Sequence, residues 1–450
     1  LVNNVPLLKF LRKFRNSNNW EIMKNHDPRE QVRGLHQILT SDKKRVGFLF
    51  GAGTSFATGL NGIFVPAIAK MTSDIVQHVA TQSAVLSTAI NDINAELSGA
   101  KIPFNIESLL SSIESKRAVI GAGTLNGLDS QGFSELAKLV KEQVVKLVSI
   151  HDQLSATADR RKLSHSQFSN WIQKARRRFP AEIFTTNYDY LFEMALEGSG
   201  IPYFDGFSGG FEPFFCPEAV EDVDAYPHLV KLWKMHGSLG WSFREADHAV
   251  IRQHTQDTDA ANTLIYPSHL KYNSSKKQPY VGLIDRLCTF LQQDDAVLIT
   301  CGYSFGDNHI NERIVTSLRR GANSHVVALY FDEVWDAAGS CSYSLSDEAN
   351  VVRAMATQET GGKMSVYGRH HAVIGGKFGI WRLRDEPKKN ESTRIDLYFD
   401  EDAAALSLTL GEQQGNERWE GTGRFLLPDF RKLAGFLNDM SSSNSSQVAI

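Results

Sequence analysis

VGFLFGAGTS, residues 46–55, decides how the rest of the chain reads. Residues 46–50 are a short apolar run without polar alternation, the pattern of a strand buried on both faces and so of a parallel sheet. The run ends at Gly51. GAGTS then supplies a glycine-rich turn from strand to helix, which lets backbone N–H groups approach a pyrophosphate closely. Gly51 and Gly53 match the opening of GxGxxG, but Phe56 fills the third glycine position. No acidic residue closes a following strand about 20 positions on, because Asp74 falls within a helical pattern. An ordinary Rossmann dehydrogenase is therefore disfavoured. Taken alone, the loop is weak evidence for a nucleotide and reads better as a plain strand-to-helix turn.

Working outward, EIFTT (182–186), AVLITC (296–301) and VVALYF (326–331) repeat the buried-strand pattern, and helical spacing fills the intervals. Strands alternating with helices predict an α/β, Rossmann-like parallel sheet with helices on both faces. Right-handed crossovers would set the loops after strands 46–50, 182–186 and 296–301 at one carboxyl edge, where open α/β sheets bind ligands. Residues 74–97, 105–116 and 133–150 carry apolar residues three and four apart, and Asn105 stands as a helix cap. They predict a helical insertion over about 70–170. After 345, segments 364–367, 378–383, 393–399 and 405–409 alternate apolar and polar residues, as antiparallel strands do, and a helix is expected at about 428–439 after Pro428. The expected organisation is a helical extension over 1–39, a ligand-binding domain over 40–345, a small α+β region over 346–440 and a disordered tail over 441–450.

The 450-residue length agrees with more than one hydrophobic unit. The net charge of −3 gives no global pull toward nucleic acid or anionic lipid, so any nucleic-acid role would be indirect, through a partner. Cys216, Cys288, Cys301 and Cys341 are scattered with no CxxC pair, which speaks against a zinc site and a disulfide framework and points to a reducing cytoplasm. No run approaches the roughly 18 to 20 apolar residues of a membrane span. Leu7, Leu8, Leu11 and Phe14 share one helical face beside basic residues, which reads as a docking helix ahead of a membrane-surface one.

Three further motifs follow strand ends or apolar runs. TTNYD (185–189) can direct Asn187 and Asp189 into one crevice, or form an Asn turn in which Asp189 caps the next helix. In MHGSLGW (235–241), His236 is either a poised general base or a satisfied turn histidine. CGYSFGDNHINERI (301–314) sets Gly302, Ser304 and Asp307 after a buried strand; Asp307 reads as a helix cap, Ser304 as a ribose or phosphate contact. Folding explains each motif singly. It does not explain all four in order at one sheet edge.

Together the motifs resemble the sirtuins, and most closely the divergent bacterial sirtuin-like proteins of antiphage defence. NIESLL (105–110), DGFSGG (205–210), LIYPS (264–268) and HINERI (309–314) look like that branch as well, and the similarity spans about 40–335. The resemblance implies cleavage of NAD to nicotinamide and ADP-ribose with Asn187 and His236 at the centre. It implies that Gly51, Ala52, Gly53, Thr54 and Ser55 cradle the pyrophosphate, and that Thr186 and Asp189 lie at the nicotinamide end. Gly302, Ser304 and Asp307 would then engage the adenosine side. Deacylase sirtuins carry Gln where Thr186 stands, and the four-cysteine zinc module is absent, so water is expected as the acceptor. The expectation is an NAD glycohydrolase acting by NAD depletion. The alternatives are a deacylase or ADP-ribosyltransferase, and a non-catalytic NAD or ADP-ribose sensor. A homo-oligomer and a separate partner, a HerA-type ATPase first among the choices, complete it.

Overall fold

The computed structural model describes residues 24–57, 60, 62–155, 160–175, 177–244, 246–247, 249–253, 278–321, 323–336, 339–387, 394–401 and 420–443. The apolar stripe at 7–14, LIYPS, and segment 405–409 lie outside them. The fold is mixed α/β around a ten-stranded sheet. Its order is Lys24–His26, Lys377–Trp381, His371–Ile374, Met364–Gly368, His325–Tyr330, Ala296–Cys301, Arg45–Phe50, Glu182–Thr185, Val230–Lys234 and Tyr203–Phe204. The seven strands from Met364–Gly368 to Tyr203–Phe204 pair in parallel.

Alternate side chains of one strand feed two cores, which is why these strands read as continuous apolar runs. Phe48 and Phe50 join Phe168, Trp171, Phe192 and Phe430 on one face, under helices Pro28–Thr40, Ser164–Ala175, Leu191–Gly198 and Phe430–Ser443. Leu49, Phe184, Trp233 and Leu298 face Leu287, Phe290 and Ile314 on the other, under helices Tyr280–Gln292 and Asn308–Arg320. Each such fully buried Phe or Leu contributes about 1.5–3 kcal/mol. Gly47 leaves room for the Phe290 ring, which a Cβ there would meet at 2.7 Å.

The expected helices form with shifted bounds. The 74–97 pattern is two helices, Ile68–Gln82 and Ala84–Gly99, because Ser83 is extended and its hydroxyl accepts the Leu86 N–H, starting a new helix. Asn105 caps Ile106–Val119 in a reciprocal box with Ser108. With Ser130–Val148, these helices build a third core, which also takes in Leu191, at the start of helix Leu191–Gly198, and Leu239 from a loop at the carboxyl edge.

Val230–Lys234 lies in the sheet although VKLWK does not read as a buried strand. Its lysines are buried because the Lys231 ammonium donates to the Tyr226 carbonyl at 2.6 Å and Lys234 to loop carbonyls. The strands after 345 continue the main sheet. Met364–Gly368 is buried along its length and pairs in parallel with His325–Tyr330, while the next two strands run antiparallel. The described part of segment 393–399 holds a single helical turn, Ile395–Leu397, ahead of the two-residue strand Phe399–Asp400. Within the expected N-terminal helical extension, Lys24–His26 is a strand beside Lys377–Trp381.

Candidate active site

The chain leaves Arg45–Phe50 toward Glu182–Thr185 and Val230–Lys234 on one side, then returns to place Ala296–Cys301 on the other. The strand order reverses between Arg45–Phe50 and Ala296–Cys301, and open α/β sheets bind ligands in a crevice at the carboxyl edge beside such a point. The GAGTS and CGYSFGD loops flank it, with TTNYD and HGS beside the first.

The glycines of the first and fourth motifs serve each other. Gly51 N–H donates to the Cys301 carbonyl at 3.3 Å and Gly53 N–H to the Gly302 carbonyl at 3.0 Å. A Cβ on Gly51 would lie 2.6 Å from that Gly302 oxygen, and one on Gly302, at φ +65°, 2.6 Å from the Thr54 nitrogen. Close backbone approach across the switch point therefore requires them, and two amides expected at a pyrophosphate are bonded to the neighbouring loop. Ala52, Gly53, Ser304 and Gly306 remain exposed along the crevice.

Asn187, only 6% exposed, ties the second motif to the first. Its amide nitrogen donates to the Gly51 carbonyl (3.1 Å), Thr54 Oγ1 (3.0 Å) and Ser55 Oγ (2.8 Å). These bonds leave its Oδ1 unused. Asp189 accepts the Ser55 hydroxyl at 2.6 Å with one oxygen and the Leu191 N–H at 3.1 Å with the other, so it opens the following helix as well as holding Ser55. Thr186 is half-buried and continues the sheet ladder by donating its N–H to the Phe50 carbonyl.

The third motif is held from both sides. Lys234, at the strand end two residues before His236, donates to the Tyr188 and Asp189 carbonyls and pairs with Glu193 at 2.7 Å. Burial pushes the Glu193 carboxyl upward, against the pull of the Lys234 ammonium. Lys234 was missed in the sequence, and its signal was a lysine ending a strand two residues before the HGS motif. His236 Nε2 lies 3.1 Å from Asp307 Oδ2. Asp307 Oδ1 receives the His309 and Ile310 N–H groups and caps Asn308–Arg320. Asp307, which the resemblance sets toward the adenosine, thus lies against His236. Ser304 is exposed, and its hydroxyl accepts the Gly306 N–H at 3.3 Å.

Several accompanying motif residues turn out to be braces. In HINERI, Asn311 receives the Tyr303 hydroxyl and donates to the Phe305 carbonyl, fixing Phe305 at φ +57°. In DGFSGG, Asp205 pairs with Arg252. The helical insertion meets the site through His151, whose ring stands edge-on to Tyr190 at 4.8 Å. Burial depresses the His151 imidazole, with Asp152 and Asp189 opposing.

Residues 181–351 match the family model of the SIR2-like domain. The match covers less than half of the chain. It takes in TTNYD, HGS and CGYSFGD with their strands, and leaves GAGTS and the helical insertion outside. The match supports a sirtuin-like relationship, and SIR2-like domains use NAD. No curated protein matches the chain. Among the described residues, no group of three His, Cys, Asp or Glu side chains could hold a metal ion, and no helix is long and apolar enough to cross a membrane.

Proposed function

We propose that the chain is an NAD glycohydrolase, transferring ADP-ribose from nicotinamide to water. The observation that carries the reading is that Asn187 is bonded to the GAGTS loop and His236 to the CGYSFGD loop, the two loops that frame the crevice, with both residues inside the SIR2-like segment. As nicotinamide leaves, the ribose carbon becomes cationic, and groups that position its hydroxyls or an incoming water lower the barrier. Asn187 Oδ1 is oriented for that task because the amide nitrogen is pinned by three acceptors. His236 takes the proton of the water or of a ribose hydroxyl. The exposed backbone of Ala52, Gly53, Ser304 and Gly306 gives the diphosphate and adenosine portions a polar floor. Asp189 works through Ser55, which it anchors.

The resemblance to bacterial defence proteins extends the proposal to an effector that depletes NAD during phage infection. It would act as a homo-oligomer in the cytoplasm beside a separate partner such as a HerA-type ATPase. The test is to incubate concentrated protein with NAD alone and separate the products. Equal amounts of nicotinamide and ADP-ribose, undiminished by a chelator, are expected. Nicotinamide release that strictly requires an acyl-lysine peptide, or that leaves protein labelled with ADP-ribose, would overturn the reading in favour of transfer.

A further inference from the structure

We infer that Asp307 is a positioning residue for His236, so that the fourth motif works in the proton-transfer step as well as in framing the crevice. This rests on the glycohydrolase reading of the site. The Asp307 carboxylate cannot swing, because two backbone N–H groups of Asn308–Arg320 hold Oδ1 at 3.0 and 3.3 Å. The loop before it is fixed too: Asn311 grips the Phe305 carbonyl at 2.8 Å, and the Tyr303 hydroxyl reaches the Asp307 carbonyl at 3.4 Å. Oδ2 therefore stands at one place, 3.1 Å from His236 Nε2. Both partners are close to fully buried, with side chains 9% and 10% exposed.

A carboxylate accepts and does not donate, so the proton of neutral His236 resides on Nε2. Nδ1 is then the nitrogen that takes a proton from water or a ribose hydroxyl. The imidazolium that results keeps its Nε2–H on a carboxylate, whose charge is also favoured by the start of a 13-residue helix. No proton passes to Asp307. Its work is to select the tautomer, fix the ring plane and stabilise the cation.

Asp307→Asn separates this role from the helix cap. Asn caps a helix as well as Asp does, so the fold persists. With its oxygen still on the helix amides, its NH2 faces Nε2 and drives the His236 proton to Nδ1. We expect kcat for NAD cleavage to fall by roughly 10²–10⁴-fold, the scale on which an orienting carboxylate acts. KM and ADP-ribose affinity should stay within about threefold. Nitrogen-15 spectra of histidine-labelled protein should show His236 as the Nε2–H tautomer in the parent and the Nδ1–H tautomer in the variant. A collapse of NAD and ADP-ribose affinity at unchanged kcat would overturn the inference and return Asp307 to ligand binding. An unchanged tautomer with unchanged kcat would overturn it outright. Should the parent protein fail to cleave NAD, the glycohydrolase reading fails separately, and the spectra still decide whether Asp307 sets the His236 tautomer.

Discussion

Two buried polar clusters sit at the same carboxyl edge of the sheet, and they are built on opposite principles. One gathers Thr54, Ser55, Asn187, Asp189, His236 and Asp307. The other follows His325–Tyr330 and Met364–Gly368, where Glu333 receives Arg369 at 3.0 Å and His370 at 2.9 Å, with Arg424 at 3.8 Å. Fully buried Asp332 accepts the Arg369 N–H at 2.7 Å and faces His371 at 3.6 Å. In the second cluster charges answer charges, and Tyr343 closes over His370 with ring centres 4.1 Å apart. It is a bolt joining loops of the C-terminal part. In the first, the Asn187 amide and the Thr54 and Ser55 hydroxyls brace the loops, the Asp189 and Asp307 carboxylates each accept a backbone N–H at a helix start, and these bonds leave Asn187 Oδ1 unused. Buried polarity alone does not mark a site; what distinguishes it is which groups the internal bonds leave available.

The sharpest way to break this comparison is Glu333→Ala. It strands the Arg369 guanidinium and the His370 imidazole, while Arg424 keeps Asp400, and losing one partner of a buried ion cluster costs about 3–5 kcal/mol. Denaturant unfolding should show that loss while NAD cleavage per folded molecule holds. A parent-like midpoint would reduce the second cluster to decoration.

Acid comes next. His165 is buried between the rings of Phe192 and Phe430, and burial drops its imidazole to about 4 from the usual 6.5. The unfolded chain therefore binds the extra proton between those two values. The stability contributed by neutral His165 is complete above pH 6.5 and is lost as pH falls toward 4, by about 3 kcal/mol. His165→Leu should flatten that limb of the stability curve. An equally steep limb in the variant would move the effect elsewhere, with His370, also depressed by burial, the first candidate.

Gly302→Ala should cost about 1–3 kcal/mol, since it places a side chain at positive φ and presses on the Thr54 nitrogen. Unlike Glu333→Ala, it should also raise KM for NAD, because it parts the two loops of the crevice. The smallest effect is that of Asn105→Ala, about 1 kcal/mol for a lost cap, with NAD turnover unchanged.

Much of this was legible in the letters. Apolar runs gave the four central strands, and glycine spacing marked the loops that touch across the switch point. VKLWK hid its strand because its lysines find carbonyl partners that no local pattern reveals. The Asp307–His236 contact escaped for a related reason: the residues lie 71 positions apart, and only the sheet order brings their loops together. The Glu333 cluster was invisible in the sequence, since its members, Asp332–Glu333, Arg369–His371 and Arg424, are far apart along the chain and matched only in space. The helix break at Ser83 was overrun by an apolar periodicity that continues through it.

The central claim is that the four loops form one NAD-cleaving site centred on Asn187 and His236. The most direct test measures NAD cleavage by the parent protein, Asn187→Ala and His236→Ala at matched concentration, with circular dichroism confirming the fold of each. Each variant should lose at least about 100-fold in rate, the scale of lost positioning or general-base help. Parent-level cleavage by either folded variant would contradict the account.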